Sequence, residues 1–124
     1  MDTRSKILSL EALSDVLATG DWVAVVGLFD PLTAEQAERL ARLRGGWRKL
    51  LAVVLRGEGA LLAVEARAAL IAGLREISAV IIADGQDWRR AISGNPRVEI
   101  VEDAEGERAR SAEFVQFVLN RQNG

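Results

Sequence analysis

Short runs composed mainly of apolar residues recur along the chain, with enough sequence between them for a helix. Each run holds four to seven residues and is rich in Val, Ile, Leu and Ala. This composition is typical of strands that are buried on both faces of a parallel sheet. The runs that predict strands span residues 22–26, 49–55, 79–83 and 98–101.

The segments between these runs have a different pattern, in which apolar residues lie three or four positions apart. That spacing predicts amphipathic helices. The predicted helices span residues 9–18, 32–43, 62–76 and 87–93, and a last one begins at Ser111. The third helix is expected to bury the face that carries Leu62, Ala66, Ala69, Leu70 and Leu74.

Strands and helices therefore alternate over the whole of residues 1–124, which we predict to form a single α/β domain. Because crossovers between parallel strands are right-handed, alternation of this kind predicts helices on both faces of the sheet. The expected architecture is a three-layer, Rossmann-like parallel sheet of about four strands. We expect the first of these strands, residues 22–26, to be central.

The turn after the first strand is the stretch around which the chain is organised. It contains Gly27, Leu28, Phe29 and Asp30 and leads directly into the second helix. In α/β domains, phosphates bind where a helix begins just past the carboxyl end of a strand. The turn is therefore a candidate nucleotide site. Asp30 either orients the turn by accepting hydrogen bonds from backbone amides or faces a ligand.

The start of the second helix has two interpretations that oppose each other. Thr33, followed three residues later by Gln36, predicts a capping box, in which each side chain bonds the other's backbone N–H. Glu35 in the first turn stabilises the helix dipole. The same carboxylate would repel a triphosphate, so this segment favours helix stability over phosphate binding.

Composition restricts the chemistry further. The net charge is −2, and without a long basic run the chain is not expected to bind nucleic acid. Histidine is absent, which removes the commonest general base and metal ligand, and we predict no metal site. The lack of cysteine fits a reducing cytoplasm. No apolar run approaches the roughly 20 residues of a membrane helix, so we expect no membrane partner and a cytoplasmic location.

Three segments together resemble the nucleotidyltransferase (cytidylyltransferase-like) superfamily. Residues 27–33, Gly-Leu-Phe-Asp-Pro-Leu-Thr, are similar to the family's signature at the end of its first strand. Residues 6–13 resemble the helix that precedes this strand in heptose-phosphate activating enzymes. Residues 66–82, with Arg67, resemble the family's arginine-containing helix and the strand after it. Within the family, the heptose-phosphate and glycerol-phosphate nucleotidyltransferases are the most similar branches.

The chain departs from the family where the chemistry is done. The resemblance implies a His-x-Gly-His or Thr-x-Gly-His segment, but residues 33–36 read Thr-Ala-Glu-Gln, so Gln36 replaces the histidine that stabilises the transferring phosphoryl group. A Ser/Thr-rich motif at the last helix is reduced to Ser111, after Arg110. The family's Lys-Gly-x-Asp strand has no counterpart here.

If a nucleotide binds, the resemblance implies a set of residues that would contact it. These are Gly27, Leu28, Phe29, Asp30, Thr33, Gln36, Arg67, Arg110 and Ser111. The two arginines of this set also have ordinary structural interpretations. Arg67 either contacts phosphate or pairs with a neighbour such as Glu65. Arg110 beside Ser111 either holds an anion or flanks an ordinary helix cap. The three tryptophans are interpreted as packing at the rim of the fold.

Two functions follow as hypotheses. The first is a degenerate nucleotidyltransferase-like domain without transferase activity, with a structural, partner-binding or weak nucleotide-binding role and no cofactor. The alternative is an active nucleotidyltransferase that moves AMP or CMP from ATP or CTP, with Mg²⁺, to a sugar- or alcohol-phosphate through Gln36, Arg67 and Ser111. A sheet that has lost one strand leaves an edge or face uncovered, which favours a homo-oligomer.

Overall fold

The computed structural model describes residues 3–30, 32–57, 59–85 and 87–102. It contains a five-stranded sheet in which every strand pair is parallel. The strands are β1 (Ile7–Leu8), β2 (Trp22–Gly27), β3 (Lys49–Leu55), β4 (Ala79–Ala83) and β5 (Val98–Glu102). The α-helices are α1 (Leu13–Leu17), α2 (Ala34–Arg44), α3 (Val64–Ala72) and α4 (Asp87–Ser93), and a 3₁₀ turn covers Thr3–Lys6.

The strand order across the sheet is β1-β4-β3-β2-β5. From β2 the chain proceeds through α2 to β3 and through α3 to β4, moving in one direction along the sheet. It then returns through α4 to β5 on the other side of β2. The direction of winding therefore reverses between β2 and β5, which is the feature that defines the switch point of a doubly wound fold.

This winding places two helices on each face of the sheet. Leu40 of α2 and Ile71 of α3 pack with Val23 and Val25 of β2 on one face. On the other face, Leu17 of α1 and Ile92 of α4 pack with alternate residues of β2, β3 and β4. Because both faces are covered, all six residues of β2 are buried. The predicted α/β class, with a parallel sheet and helices on both faces, is confirmed.

The number and order of the strands differ from the prediction. The sheet has five strands rather than about four, because Ile7–Leu8 pairs in parallel with β4. The family resemblance implied a helix over residues 6–13, and the sequence pattern predicted one over residues 9–18, but α1 covers only Leu13–Leu17. The central strand is β3, not residues 22–26, since the extra strand extends the sheet beyond β4. A two-residue strand is too short to be detected from alternation of apolar and polar residues.

Helix α3 buries a different face from the one that we predicted. Its buried residues are Val64, Arg67, Ala68, Ile71 and Ala72. Ala66 and Leu70, which were expected to face inward, are exposed. The helix is apolar almost all round, so its sequence pattern does not identify which face packs on the sheet.

The tryptophans also depart from the prediction of rim packing. Trp22 and Trp88 are only 2% and 1% exposed and belong to the core on the α1/α4 face, whereas Trp47 is 70% exposed. The indole Nε1 atoms of Trp22 and Trp88 are buried and have no hydrogen-bond acceptor in the described part of the chain. Cations lie over both rings, with Lys49 Nζ 5.6 Å from the Trp22 centroid and Arg89 Cζ 4.6 Å from that of Trp88.

Candidate functional site at the carboxyl edge of the sheet

The candidate site lies where the carboxyl ends of β2 and β3 meet the loops that lead into α2 and α3. Open α/β sheets bind their ligands outside the carboxyl ends of their strands. Gly27 ends β2 and is buried, and Leu28 after it is half-buried. The predicted site residues of the first turn are thus at the edge where the fold would place a ligand.

Phe29 is held in an uncommon backbone conformation. Its φ is +50°, in the left-handed region, and its side chain is 1% exposed within the core on the α2/α3 face. A left-handed conformation costs a non-glycine residue about 1–3 kcal/mol, so the packing of the ring must offset that strain. Phe29 therefore faces the core, and its ring does not line the crevice.

The first turn of α2 is a capping box, as the sequence predicted. The backbone N–H of Gln36 donates to Thr33 Oγ1 at 3.1 Å, and the backbone N–H of Thr33 donates to Gln36 Oε1 at 3.0 Å. Gln36 is 7% exposed. Its amide oxygen is therefore directed at the helix start. Glu35 is exposed in the same turn, so a negative charge lies where an incoming phosphate would approach.

Asp30 joins two loops of the carboxyl edge. Its Oδ1 accepts a hydrogen bond from the backbone N–H of Leu62 at 2.8 Å, and its Oδ2 accepts one from the backbone N–H of Leu61. These amides lie just before α3, so the contact crosses from the β2–α2 loop to the β3–α3 loop. Of the two alternatives for Asp30, the structure shows hydrogen bonds to backbone amides, but these amides belong to a distant loop and not to its own turn.

Arg67 makes the most extensive set of contacts at this edge. The side chain is 1% exposed, and its guanidinium donates to four carbonyl oxygens. Its partners are Leu62 at 3.0 Å from Nε, Leu28 at 2.8 Å and Leu55 at 2.7 Å from Nη1, and Arg56 at 2.5 Å from Nη2. Four of the five N–H groups of the guanidinium are thus used by backbone oxygens.

The environment of Arg67 matches neither alternative drawn from the sequence. Within the described ranges it has no carboxylate partner, and Glu65 instead lies 3.9 Å from Arg56. The positive charge is balanced by carbonyl dipoles at the end of β3 and in the adjoining loops. Charged hydrogen bonds of this kind are stronger than neutral ones. Arg67 therefore fixes the end of β3 and both loops relative to α3.

An open groove of ≈ 330 Å³ lies beside these contacts, along the β3–α3 loop. Among the residues that line it, Arg56 pairs with Asp84 Oδ1 at 2.7 Å. Gly57 adopts a φ of +65°, and a Cβ atom placed there would be 2.5 Å from Leu28 Cδ2. The Leu28 side chain thus packs directly over Gly57.

No cation site is evident at this edge. Across the described ranges, no three acidic, His or Cys side chains are arranged to hold a metal ion. Asp84, which follows β4 at the same edge, is engaged by Arg56. Elsewhere, at the amino edge, the hydrogen bond from Arg97 to Asp21 raises the pKa of Arg97. Arg110 and Ser111 lie outside the described residues, as does the last predicted helix.

Sequence reasoning found the residues of this edge but missed their partners. Arg67 is the only charged residue on the buried face of α3, which was a signal for an internal role, but the assignment of the wrong face concealed it. Two glycines close together, at positions 57 and 59, are typical of a turn, but this pattern does not reveal that Leu28 packs on Gly57.

Comparison with known proteins does not identify a family for this chain. A scan against protein-family models gives no match, and a search of curated proteins finds no similar sequence. In the described part of the chain, none of the helices has the length and apolar character needed to cross a membrane. The nucleotidyltransferase resemblance thus stays a prediction that rests on the segments quoted above.

Proposed function

We propose that this chain is a degenerate nucleotidyltransferase-like domain without transferase activity, which serves a structural or partner-binding role. The observation that carries the proposal is the environment of Arg67. An arginine that served a triphosphate would present its N–H groups to the crevice. Here four of them bond carbonyl oxygens inside the protein, and the side chain is 1% exposed.

The neighbouring residues support the same proposal. The carboxylate of Asp30 is occupied by two backbone amides, and the amide oxygen of Gln36 by the cap of α2. The exposed carboxylate of Glu35 opposes anion binding at the helix start. The carboxylate of Asp30, the amide oxygen of Gln36 and the guanidinium of Arg67 each have a contact that stabilises the fold.

The proposal is tested by titrating the protein with MgATP and MgCTP in a calorimeter and by assaying pyrophosphate release with sugar- and alcohol-phosphate acceptors. We expect no binding tighter than about 1 mM, which corresponds to about −4 kcal/mol, and no turnover above the uncatalysed rate.

A pair of charge-neutralising variants sharpens this test. Glu35→Gln removes the charge at the start of α2, and Glu38→Gln makes the same change on the exposed side of that helix. If a phosphate site exists, only the first change should strengthen binding. Micromolar affinity for either nucleotide would show that the crevice is a nucleotide site. Mg²⁺-dependent turnover that Gln36→Ala abolishes would show that the domain is a working nucleotidyltransferase.

A further inference from the structure

Two consecutive backbone amides just before α3 share one carboxylate. The N–H of Leu62 donates to Oδ1 of Asp30 at 2.8 Å, and the N–H of Leu61 donates to Oδ2 of the same group. Each oxygen of the carboxylate thus accepts a hydrogen bond from one amide. Successive backbone N–H groups that converge in this way form anion-binding sites in proteins. At this position the bound anion is a side chain of the chain itself.

The surroundings of these amides also favour a negative charge. Helix α3 begins at Val64, and its N-cap is Ala63, whose side chain has no hydrogen-bond acceptor. The positive end of the helix dipole therefore lies next to the Leu62 amide. The buried guanidinium of Arg67 donates to the carbonyl oxygen of Leu62 at 3.0 Å, which brings a full positive charge to the same residue. An anion at the two amides is thus stabilised by charge as well as by hydrogen bonds.

The turn that carries Asp30 has a strained backbone. Phe29, the preceding residue, has a φ of +50° in the left-handed region. Such conformations persist only where the surrounding contacts hold them. The turn is held on both sides of Phe29, because Arg67 donates to the carbonyl oxygen of Leu28 at 2.8 Å and the two amides bind Asp30. If Asp30 left the amides, Phe29 could relax toward negative φ, so the strain of the turn opposes the contact between Asp30 and the amides.

The two amides lie within reach of solvent. Asp30 is only half-buried, and the side chain of Leu61 is 84% exposed. Leu62 and Arg67 line the open groove of ≈ 330 Å³ along the β3–α3 loop, which has room for a small anion. An anion that entered this groove would therefore meet the amides if the side chain of Asp30 did not already occupy them.

We propose that the amides of Leu61 and Leu62 form a carboxylate-binding site that Asp30 occupies as an internal ligand, and that this contact keeps the site closed to carboxylates from solvent. A tethered group competes with free ligands at an effective concentration in the millimolar range or above. Dilute carboxylates therefore do not displace Asp30. The inference goes beyond the proposed function, because it concerns the start of α3 and not the nucleotide crevice at the start of α2. It can hold or fail whatever the nucleotide titration shows.

The test removes the internal ligand and supplies it again from solution. Asp30→Gly deletes the carboxymethyl group, and acetate carries the same carboxylate on a methyl group. We expect the melting temperature of this variant, followed by circular dichroism, to fall below that of the native chain. It should then rise saturably with sodium acetate up to about 0.2 M, but not with sodium chloride at equal ionic strength. In NMR spectra, acetate should return the amide protons of Leu61 and Leu62 toward their positions in the native chain. The native chain itself should show no saturable response to acetate.

Two further variants complete the test. Asp84→Gly removes a carboxylate at the same edge whose partner is the exposed Arg56 guanidinium, so it should show no saturable response to acetate. Asp30→Asn keeps the position filled but has one acceptor oxygen, so hydrogen exchange at Leu61 or Leu62 should rise by about tenfold or more, even if Asp30→Gly does not fold. A folded Asp30→Gly variant that acetate stabilises no more than chloride, an equal response in Asp84→Gly, a saturable response of the native chain, or unchanged exchange at both amides in Asp30→Asn would each overturn the inference.

Discussion

Arg67 shows how a single buried charge can determine the role of a site. Its guanidinium bonds carbonyl oxygens on the β2–α2 loop, at the end of β3 and just before α3. A buried cation requires such partners because the loss of hydration is costly. Loss of Arg67 would leave its carbonyl partners without hydrogen-bond donors, and this would lower the free energy of unfolding.

The first residue-scale prediction concerns that loss. Arg67→Met should lower the free energy of unfolding by about 3 kcal/mol or more, since several buried carbonyl groups lose their partner at once. Arg67→Lys should recover only part of it, because an ammonium group cannot reproduce the planar fork of donors. Urea unfolding monitored by circular dichroism measures both.

The exposed Arg90 on α4 offers the matched control, and Arg90→Met should change the unfolding free energy by less than about 0.5 kcal/mol. If Arg67→Met were as stable as the native chain, the guanidinium would not hold the carboxyl edge together. The structural role on which the proposed function rests would then be wrong.

At the scale of elements, the β3–α3 loop is specified by glycine geometry. Gly57 and Gly59 both have positive φ, at +65° and +76°. Only Gly57 has a close neighbour, because Leu28 packs against its Cα, while a Cβ at Gly59 would meet nothing within 4 Å. Substitution of Gly59 therefore measures the cost of backbone strain alone, and substitution of Gly57 measures that cost together with crowding by Leu28.

Alanine substitution should distinguish these two effects. Gly59→Ala should destabilise the fold by about 1–2 kcal/mol, which is the cost of a left-handed conformation with a Cβ. Gly57→Ala should cost measurably more, and the excess should disappear when Leu28→Ala is added. Equal costs in the chain that retains Leu28 would contradict the packing of Leu28 over Gly57. Denaturant midpoints of these three variants and of Leu28→Ala alone provide the comparison.

The elements also show what could and could not be predicted from sequence. The β-branched runs identified β3 and β4 to the residue, and β2 and β5 each to within one residue at the carboxyl end, because continuous apolar runs of that length have few alternatives. Helix α4 was also bounded correctly. The two-residue β1 was missed, since its pairing depends on tertiary contact with β4 and not on any pattern of its own.

Prediction of the candidate site was limited in a different way. The Thr33–Gln36 cap is a local interaction within four residues and was predicted correctly. The contacts of Asp30 and Arg67 join positions that are far apart in sequence, and no local pattern encodes them. A helix with two apolar faces likewise gave no basis for choosing between them. Long-range partners had to come from the structure.

For the whole molecule, the sheet order predicts how stability is distributed. β3 is central, and its five residues from Leu50 to Val54 are buried on both faces. β1 is an edge of two half-buried residues. Backbone amides in the interior of a sheet exchange with solvent only through the largest openings, whereas edges open locally.

Hydrogen exchange followed by mass spectrometry or NMR should therefore find the slowest amides in β3 and the fastest strand amides in β1. The difference should reach at least about 100-fold in protection, or roughly 2.7 kcal/mol of opening free energy. β4 is a useful internal reference, because it lies between these two strands. If the β1 amides were as strongly protected from exchange as the β3 amides, then β1 would not be an exposed edge of the sheet, contrary to the strand order.

The strand order also determines when the sheet can be completed during synthesis on the ribosome. Trp22 pairs with Val98 and Ile7 pairs with Val80, so the partners in both pairs are more than 70 positions apart. A ribosome that adds about 5–20 residues per second needs roughly 4–14 seconds to pass from β2 to β5. During that interval β2 has no β5 on its outer side, and the apolar strand can pair with other nascent chains. Slower translation would prolong that exposure, so we expect the yield of this domain to fall when its synthesis is slowed.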